Sequence, residues 1–246
     1  LKFNASGIEE VKRKFFGTLY NTYSFFSLYA NIDGFDNSEN EIDFSKRPEL
    51  DRWIISKLNS LIIEVDNYYK DFEPTKAARV ISNFVVNNLS NWYVRLNRRR
   101  FWKGEYGEDK ISAFQTLFSV IIDICKMSSP ISPFFTDKLY IDLTKNVYFK
   151  NKKISIHLES FPVADPQKIN RKLEEKINFA QNISSLVLSL RAKQKIKVRQ
   201  PLNKIIIPVN NDKEKSIINS ISNELKAEVN VKNIEFMMGE SDLLIK

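Results

Sequence analysis

The chain has 246 residues, a formal charge of +8 and a pI of about 9.3, with 43% hydrophobic and 12% aromatic residues. That composition supports a packed core and favours polyanionic partners. A single cysteine, Cys125, and a single histidine, His157, exclude an internal disulfide and a cysteine–histidine zinc cluster.

In chain order, Ile8, Val11, Phe15, Leu19 and Tyr23 recur at helical spacing and predict a first helix. Residues 31–47 are rich in Asp, Asn, Ser and Glu and read as a loop. Its paired carboxylates, Asp33 with Asp36 and Glu39 with Glu41, have no base beside them and read as solvated. Pro48 suits the first turn of a second helix, with Glu49 and Asp51 at its positive end. Leu50, Trp53, Ile54, Leu58, Leu61, Ile62 and Val65 are its expected core stripe. Thr75, after Pro74, is the expected cap of a third helix. The inner face of that helix runs Ala78, Ile81, Phe84, Val85, Leu89, Trp92 and Leu96.

Gly104 and Gly107 mark a turn. A fourth helix follows on Ile111, Phe114, Leu117, Phe118, Ile121, Ile122 and Cys125, and stops at Ser128-Ser129-Pro130. Cys125 reads as a buried small hydrophobe. Ser132 and Pro133 open a fifth helix through Leu143. Residues 146–166 form an irregular connector, in which Ser155-Ile156-His157-Leu158 alternates like an edge strand and His157 is structural. A sixth helix runs from Pro166 to Arg191, with Leu173, Ile177, Ala180, Ile183, Val187 and Leu190 facing in.

At Lys193 the period changes from helical to two, which predicts an extended basic segment up to Pro201. A strand over 204–209, a helix over 213–226 and a strand over 229–236 follow. The expected fold is therefore mainly α: an antiparallel helix bundle over 1–192, then the start of a small α/β unit over 193–246. No apolar run reads as long enough to span a membrane, and the opening Leu1-Lys2-Phe3-Asn4 is not a signal peptide. The opening without Met suggests an excised piece of a cytoplasmic protein.

Two basic clusters stand out. Residues 91–102 hold four arginines and four aromatic rings without an acid. On a helix Asn91, Arg95, Arg98, Arg99 and Trp102 share one stripe, beside Arg100. Arginine forks suit phosphate oxygens, and rings offer stacking faces to unpaired bases. That points to RNA contact; the alternative is a solvated helix end whose cations complement the dipole. In the second cluster, Arg191, Lys193, Lys195, Lys197 and Arg199, with Gln200, lie on the extended segment. Two readings stand for it: a track along a phosphate backbone, or an edge strand guarded by lysines.

Chemistry-bearing motifs are missing. There is no Gly-x-Gly-x-x-Gly, no Gly-x-x-x-x-Gly-Lys, no metal-ligand set and no nucleophile with a partner base. No catalytic or metal-binding residue is assigned, and the chain reads as a binding module.

A colinear series of segments resembles the C-terminal part of the class I aminoacyl-tRNA synthetases, in particular the isoleucyl-tRNA synthetase family. The pieces are Phe15-Phe16-Gly17-Thr18-Leu19-Tyr20-Asn21-Thr22-Tyr23, Leu50-Asp51-Arg52-Trp53-Ile54 and Asn91 to Trp102. They continue with Ser128-Ser129-Pro130-Ile131-Ser132-Pro133-Phe134, Ser155-Ile156-His157-Leu158, Arg191 to Leu202 and Glu228-Val229-Asn230-Val231-Lys232. The resemblance covers nearly the whole chain. It implies an α-helical domain that grips the anticodon stem-loop of an isoleucine-accepting tRNA, followed by the start of a junction domain. It also implies an upstream catalytic domain of the same polypeptide using ATP and magnesium, no cofactor or membrane partner for this piece, and a monomer.

The departures from the family pattern are informative. With one histidine, the chain cannot supply the family's His-x-Gly-His motif. Lys126-Met127-Ser128-Ser129-Pro130 imitates the opening of its Lys-Met-Ser-Lys-Ser signature, but it ends a core helix and lacks a glycine-rich context. The arginine-rich form of 91–102 is similar to the branch whose tail lacks a zinc finger. The valyl enzymes carry a similar bundle and are the alternative within the class. A helical protein-interaction scaffold, anchored by Trp92 and Trp102, is the alternative outside it.

Overall fold

The computed structural model describes residues 4–238 and 244–245. The chain divides between Asn170 and Arg171 into two compact units.

In the first unit, helix α1 (Ala5–Val11) continues through a π-helical turn, Lys12–Phe16, into α2 (Gly17–Asp33). Gly34, at φ 69°, closes α2 in the left-handed conformation that glycine adopts without a Cβ clash. The expected stripe is only half used: Leu19 is fully buried, but Ile8 and Val11 are exposed. Helix α3 (Glu49–Lys70) starts behind Pro48, with Glu49 and Asp51 in its first turn. Of its expected stripe, Trp53, Ile54, Leu58, Leu61, Ile62 and Val65 are buried, whereas Leu50 in the first turn is only partly so. Helix α4 (Pro74–Asn83) begins with Pro74 as its first residue and Glu73 at the cap position, so Thr75 is not the cap. Proline's fixed φ already fits the first helical position.

Helix α4 runs through a π-helical segment, Phe84–Val94, into α5 (Arg95–Trp102). Helices α6 (Glu108–Ser128) and α7 (Pro133–Leu143) complete the set. Contrary to the sequence expectation, α6 is by length and composition apolar enough to cross a membrane. Most of it is buried inside the unit, with Phe114, Leu117, Ile121 and Cys125 at 0% exposure. A helix surrounded on most sides is apolar over most of its circumference.

The loop and connector depart from the expectation at several residues. Asp33 is not merely solvated, because Lys110 Nζ lies 3.0 Å from its carboxylate. The connector holds a 3-10 turn, Ile156–Leu158, rather than an edge strand. Asp137 accepts from Ser155 Oγ at 2.7 Å and from the Ile156 N–H at 2.9 Å, which curls the segment and leaves His157 exposed.

In the second unit, α8 (Arg171–Lys193) precedes β1 (Leu202–Val209), α9 (Asp212–Ser220), α10 (Ser222–Val229), β2 (Val231–Met238) and β3 (Leu244–Ile245). The sheet order is β2-β1-β3. Strands β1 and β2 are parallel, with Ile205 opposite Ile234, so they need the helical crossover that α9 and α10 supply. Strand β3 pairs antiparallel with β1. Ile205, Ile207 and Val209 face in at period two. Where the sequence suggests a boundary near residue 192, the division at Arg171 places all of α8 with the sheet. Helix α10 packs on α8 there, and Leu173, Ile177, Ala180, Ile183 and Val187 supply the buried face.

Candidate nucleic-acid interface

The arginine-rich helix owes its orientation to the π-helical segment before it. Buried positions run Leu89, Trp92, Tyr93 and Val94, then Asn97 and Phe101. A straight α-helix following Leu89 and Trp92 would bury Leu96 and Arg99 instead. The wider i→i+5 turns shift the inner face by one residue, so Leu96 is only partly buried and Asn97 turns inward. This shift is invisible to α-helical periodicity.

The outer face matches the expected stripe. Asn91, Arg95, Arg98, Arg99 and Trp102 are all exposed, Trp102 at 54%. Trp92, at 4% exposure, belongs to the core. Arg99 and Arg100 occupy the last turn, where the helix dipole favours cations. The Arg98 guanidinium sits 5.8 Å from the centroid of the Phe25 ring, on α2.

Arg100 leaves the candidate set. Its Nη1 and Nη2 donate to the two oxygens of Asp51 at 2.7 and 2.9 Å, and its Nε donates to Asp109 at 3.0 Å. Asp51 is fully buried and also accepts from Tyr93 Oη at 2.8 Å and Ser112 Oγ at 2.7 Å. Asn97 completes the group, donating to the Tyr93 carbonyl and accepting from Arg100. Against the desolvation that opposes its charge, the Asp51 carboxylate holds the Arg100 pKa above its ordinary value. Burial and the same carboxylate push the Tyr93 hydroxyl well up, so it stays protonated and donating. The network ties α5 to α3 and α6 and leaves the other arginines outward. Asp51 read in the sequence only as a favourable helix-end charge, and no spacing rule marks it as a ligand of Arg100.

In the second unit the basic segment is a turn, not an extended strand. Lys195 takes φ 56°, the Ile196 N–H donates to the Arg191 carbonyl at 2.8 Å, and the Lys195 N–H to that of Ala192 at 3.0 Å. These two bonds close α8 in a Schellman motif with lysine where glycine is usual, and that choice hid it from sequence reading. Arg191 is fully buried rather than part of the cationic track. Its Nη1 donates to the carbonyls of Lys197 (3.3 Å) and Gln200 (3.0 Å), and its Nη2 to that of Asn230 (2.9 Å). The turn is thus folded around a guanidinium, and Lys193, Lys195, Lys197, Arg199 and Gln200 are exposed on it. The strand starts only at Leu202, so protection of a strand edge does not explain these lysines.

If the turn follows a phosphate backbone, Lys195→Ala with Lys197→Ala weakens RNA binding across sequences and flattens the salt dependence by about 0.7–0.9 for each phosphate no longer neutralised. Binding titrations at several salt concentrations give that slope, and an unchanged slope removes the turn from the interface.

The residues present do not fit an ATP site. The single histidine lies on the exposed 3-10 turn. In the segment imitating the synthetase signature, Met127 and Ser128 are buried at 0% and 2%, and Lys126 Nζ is 3.4 Å from Glu159. That segment ends a core helix and cannot serve as a mobile loop.

A helical unit with an outward arginine–tryptophan stripe has the character of an RNA-binding module. The comparison with known families is specific: the model of the anticodon-binding domain of tRNA ligases matches residues 51–207, and the chain belongs to that family. Among individual relatives, the isoleucine–tRNA ligase of Bacteroides thetaiotaomicron is 53% identical over all 246 residues, which cover 21% of its length. That of Porphyromonas gingivalis is 52% identical over the same span and share. That of Dehalococcoides mccartyi strain CBDB1 is 41% identical over 231 residues, 94% of this chain and 22% of the relative. The chain spans about a fifth of the length of the curated relatives it matches.

Proposed function

We propose that this chain is the anticodon stem-loop-binding part of an isoleucine–tRNA ligase, a monomeric cytoplasmic enzyme whose ATP- and magnesium-dependent chemistry resides elsewhere in the polypeptide. The observation that carries this is the exposed stripe of Asn91, Arg95, Arg98, Arg99 and Trp102 inside the matched anticodon-binding region. Paired charge and ring faces suit a loop of unpaired bases strung on phosphates. The relatives' names favour the isoleucyl reading over the valyl one, and the basic turn adds a second cationic patch for the same RNA.

The test is binding of a labelled anticodon stem-loop from isoleucine-accepting tRNA. Affinity falls steeply with salt under this reading. A protein-interaction scaffold would show no such RNA affinity, and its absence would remove the proposal. The chain by itself is expected to be silent in isoleucine-dependent exchange of pyrophosphate into ATP. Measurable exchange would place an active site within these residues and overturn the assignment of catalysis elsewhere.

A further inference from the structure

Arg98 has a support that sequence reading did not reveal. Its guanidinium rests against the Phe25 ring at 5.8 Å, within cation–π range. Phe25 is itself wedged, edge-to-face with Tyr29 at 5.0 Å and with Phe101 at 5.2 Å. Phe101 is fully buried and meets Phe114 at 5.2 Å. A chain of rings therefore ties an exposed arginine to the core. A guanidinium against a ring keeps its in-plane N–H donors available along its edges, and a fixed fork loses little entropy when it binds. One helical turn further on, Trp102 offers an exposed face.

We propose that Arg98 is the specificity-determining residue of the stripe. It reads the edge of one unpaired base in the anticodon loop, a base with two adjacent acceptors such as O6 and N7 of guanine. Phe25 is its positioning residue, and Trp102 stacks on that base or its neighbour. This rests on reading the stripe as an anticodon-loop surface. The division of labour within it is new: Arg99 contributes charge to the phosphates, whereas Arg98 contributes geometry.

The experiment uses the 246-residue chain and anticodon stem-loops in which each loop position carries guanine or 7-deazaguanine in turn, the latter lacking the N7 acceptor. At one position the wild type should prefer guanine by about tenfold or more. Arg98→Lys keeps the charge but loses the fork, so the preference collapses toward unity while the salt slope stays unchanged. Phe25→Leu keeps apolar packing and should reduce the preference in part, again at constant slope. Arg99→Ala should do the reverse, flattening the slope and sparing the preference. Guanine preference intact in Arg98→Lys overturns the inference, even if Phe25→Leu unfolds, and so does a wild type that binds without preference at every position. A wild type that binds no stem-loop removes the underlying reading, and the inference with it.

Discussion

Trp92→Ala is expected to cost the helical unit about 3–5 kcal/mol, whereas Trp102→Ala, ten residues along the same helical run, costs no more than about 0.5 kcal/mol. Trp92 is 4% exposed, so truncation leaves a cavity that the close-packed core fills only in part. Trp102 is 54% exposed and has no comparable burial to lose. For a unit of this size the Trp92 loss corresponds to a fall in Tm of roughly 10 °C. Trp92→Phe serves as a control. It keeps most of the apolar volume and removes an indole N–H that has no acceptor among the described residues, so it should cost less than about 1.5 kcal/mol. Binding should show the opposite ranking, with Trp102→Ala losing about 1–3 kcal/mol of stem-loop affinity as its stacking disappears. Thermal melts with binding titrations check both halves. A Trp102→Ala protein that melts like Trp92→Ala, or binds RNA like wild type, would contradict the assignment of the two rings.

The features that the sequence made legible are those governed by short-range periodicity. The core stripe of α3 and the buried run of α6 follow from apolar spacing. The outward stripe on α5 follows from the i, i+4 rule, because its members lie within little more than three turns. What stayed hidden depends on partners distant in sequence or on non-α backbone. Arg100 sits between Arg99, which is exposed, and Phe101, which is buried, and it turns toward Asp51, 49 positions earlier, and Asp109, nine positions later. The π-helical stretch Phe84–Val94 has no compositional mark, yet it moves the inner face by one residue. The basic segment alternates like a strand, but Arg191 gathers carbonyls from Lys197, Gln200 and Asn230 and folds it back on itself. A lysine in the left-handed conformation at Lys195 gives no warning of the turn, as a glycine would.

Asp51 is where stability and the proposed function meet, and Asp51→Ala is expected to cost about 3–5 kcal/mol. Its carboxylate lies at 0% exposure and accepts four hydrogen bonds, two from Arg100 and one each from Tyr93 and Ser112. Removing it strands the buried Tyr93 hydroxyl and leaves Arg100, whose side chain is 17% exposed, with Asp109 as its remaining carboxylate. Arg47, buried nearby and held by Thr116 Oγ1 at 2.7 Å, loses part of its compensating charge as well, and burial already pulls its pKa down. Arg100→Met strands the carboxylate instead and should cost a similar amount. The double variant removes both charges, so its loss should fall short of the sum by about 1–3 kcal/mol, the signature of direct coupling. Asp51→Asn preserves shape but keeps one acceptor oxygen, so it can still accept from Tyr93 or from Ser112, which bond different oxygens of the carboxylate, and its amide nitrogen faces one arm of the guanidinium. Arg100 is then free to swing outward, adding a mobile cation beside the stripe. Stem-loop binding should become more salt-sensitive and less selective in Asp51→Asn, even where the fold survives. Denaturant titrations give the coupling energy, and additive losses in Asp51→Ala and Arg100→Met would show that the pair does not hold this helix in place.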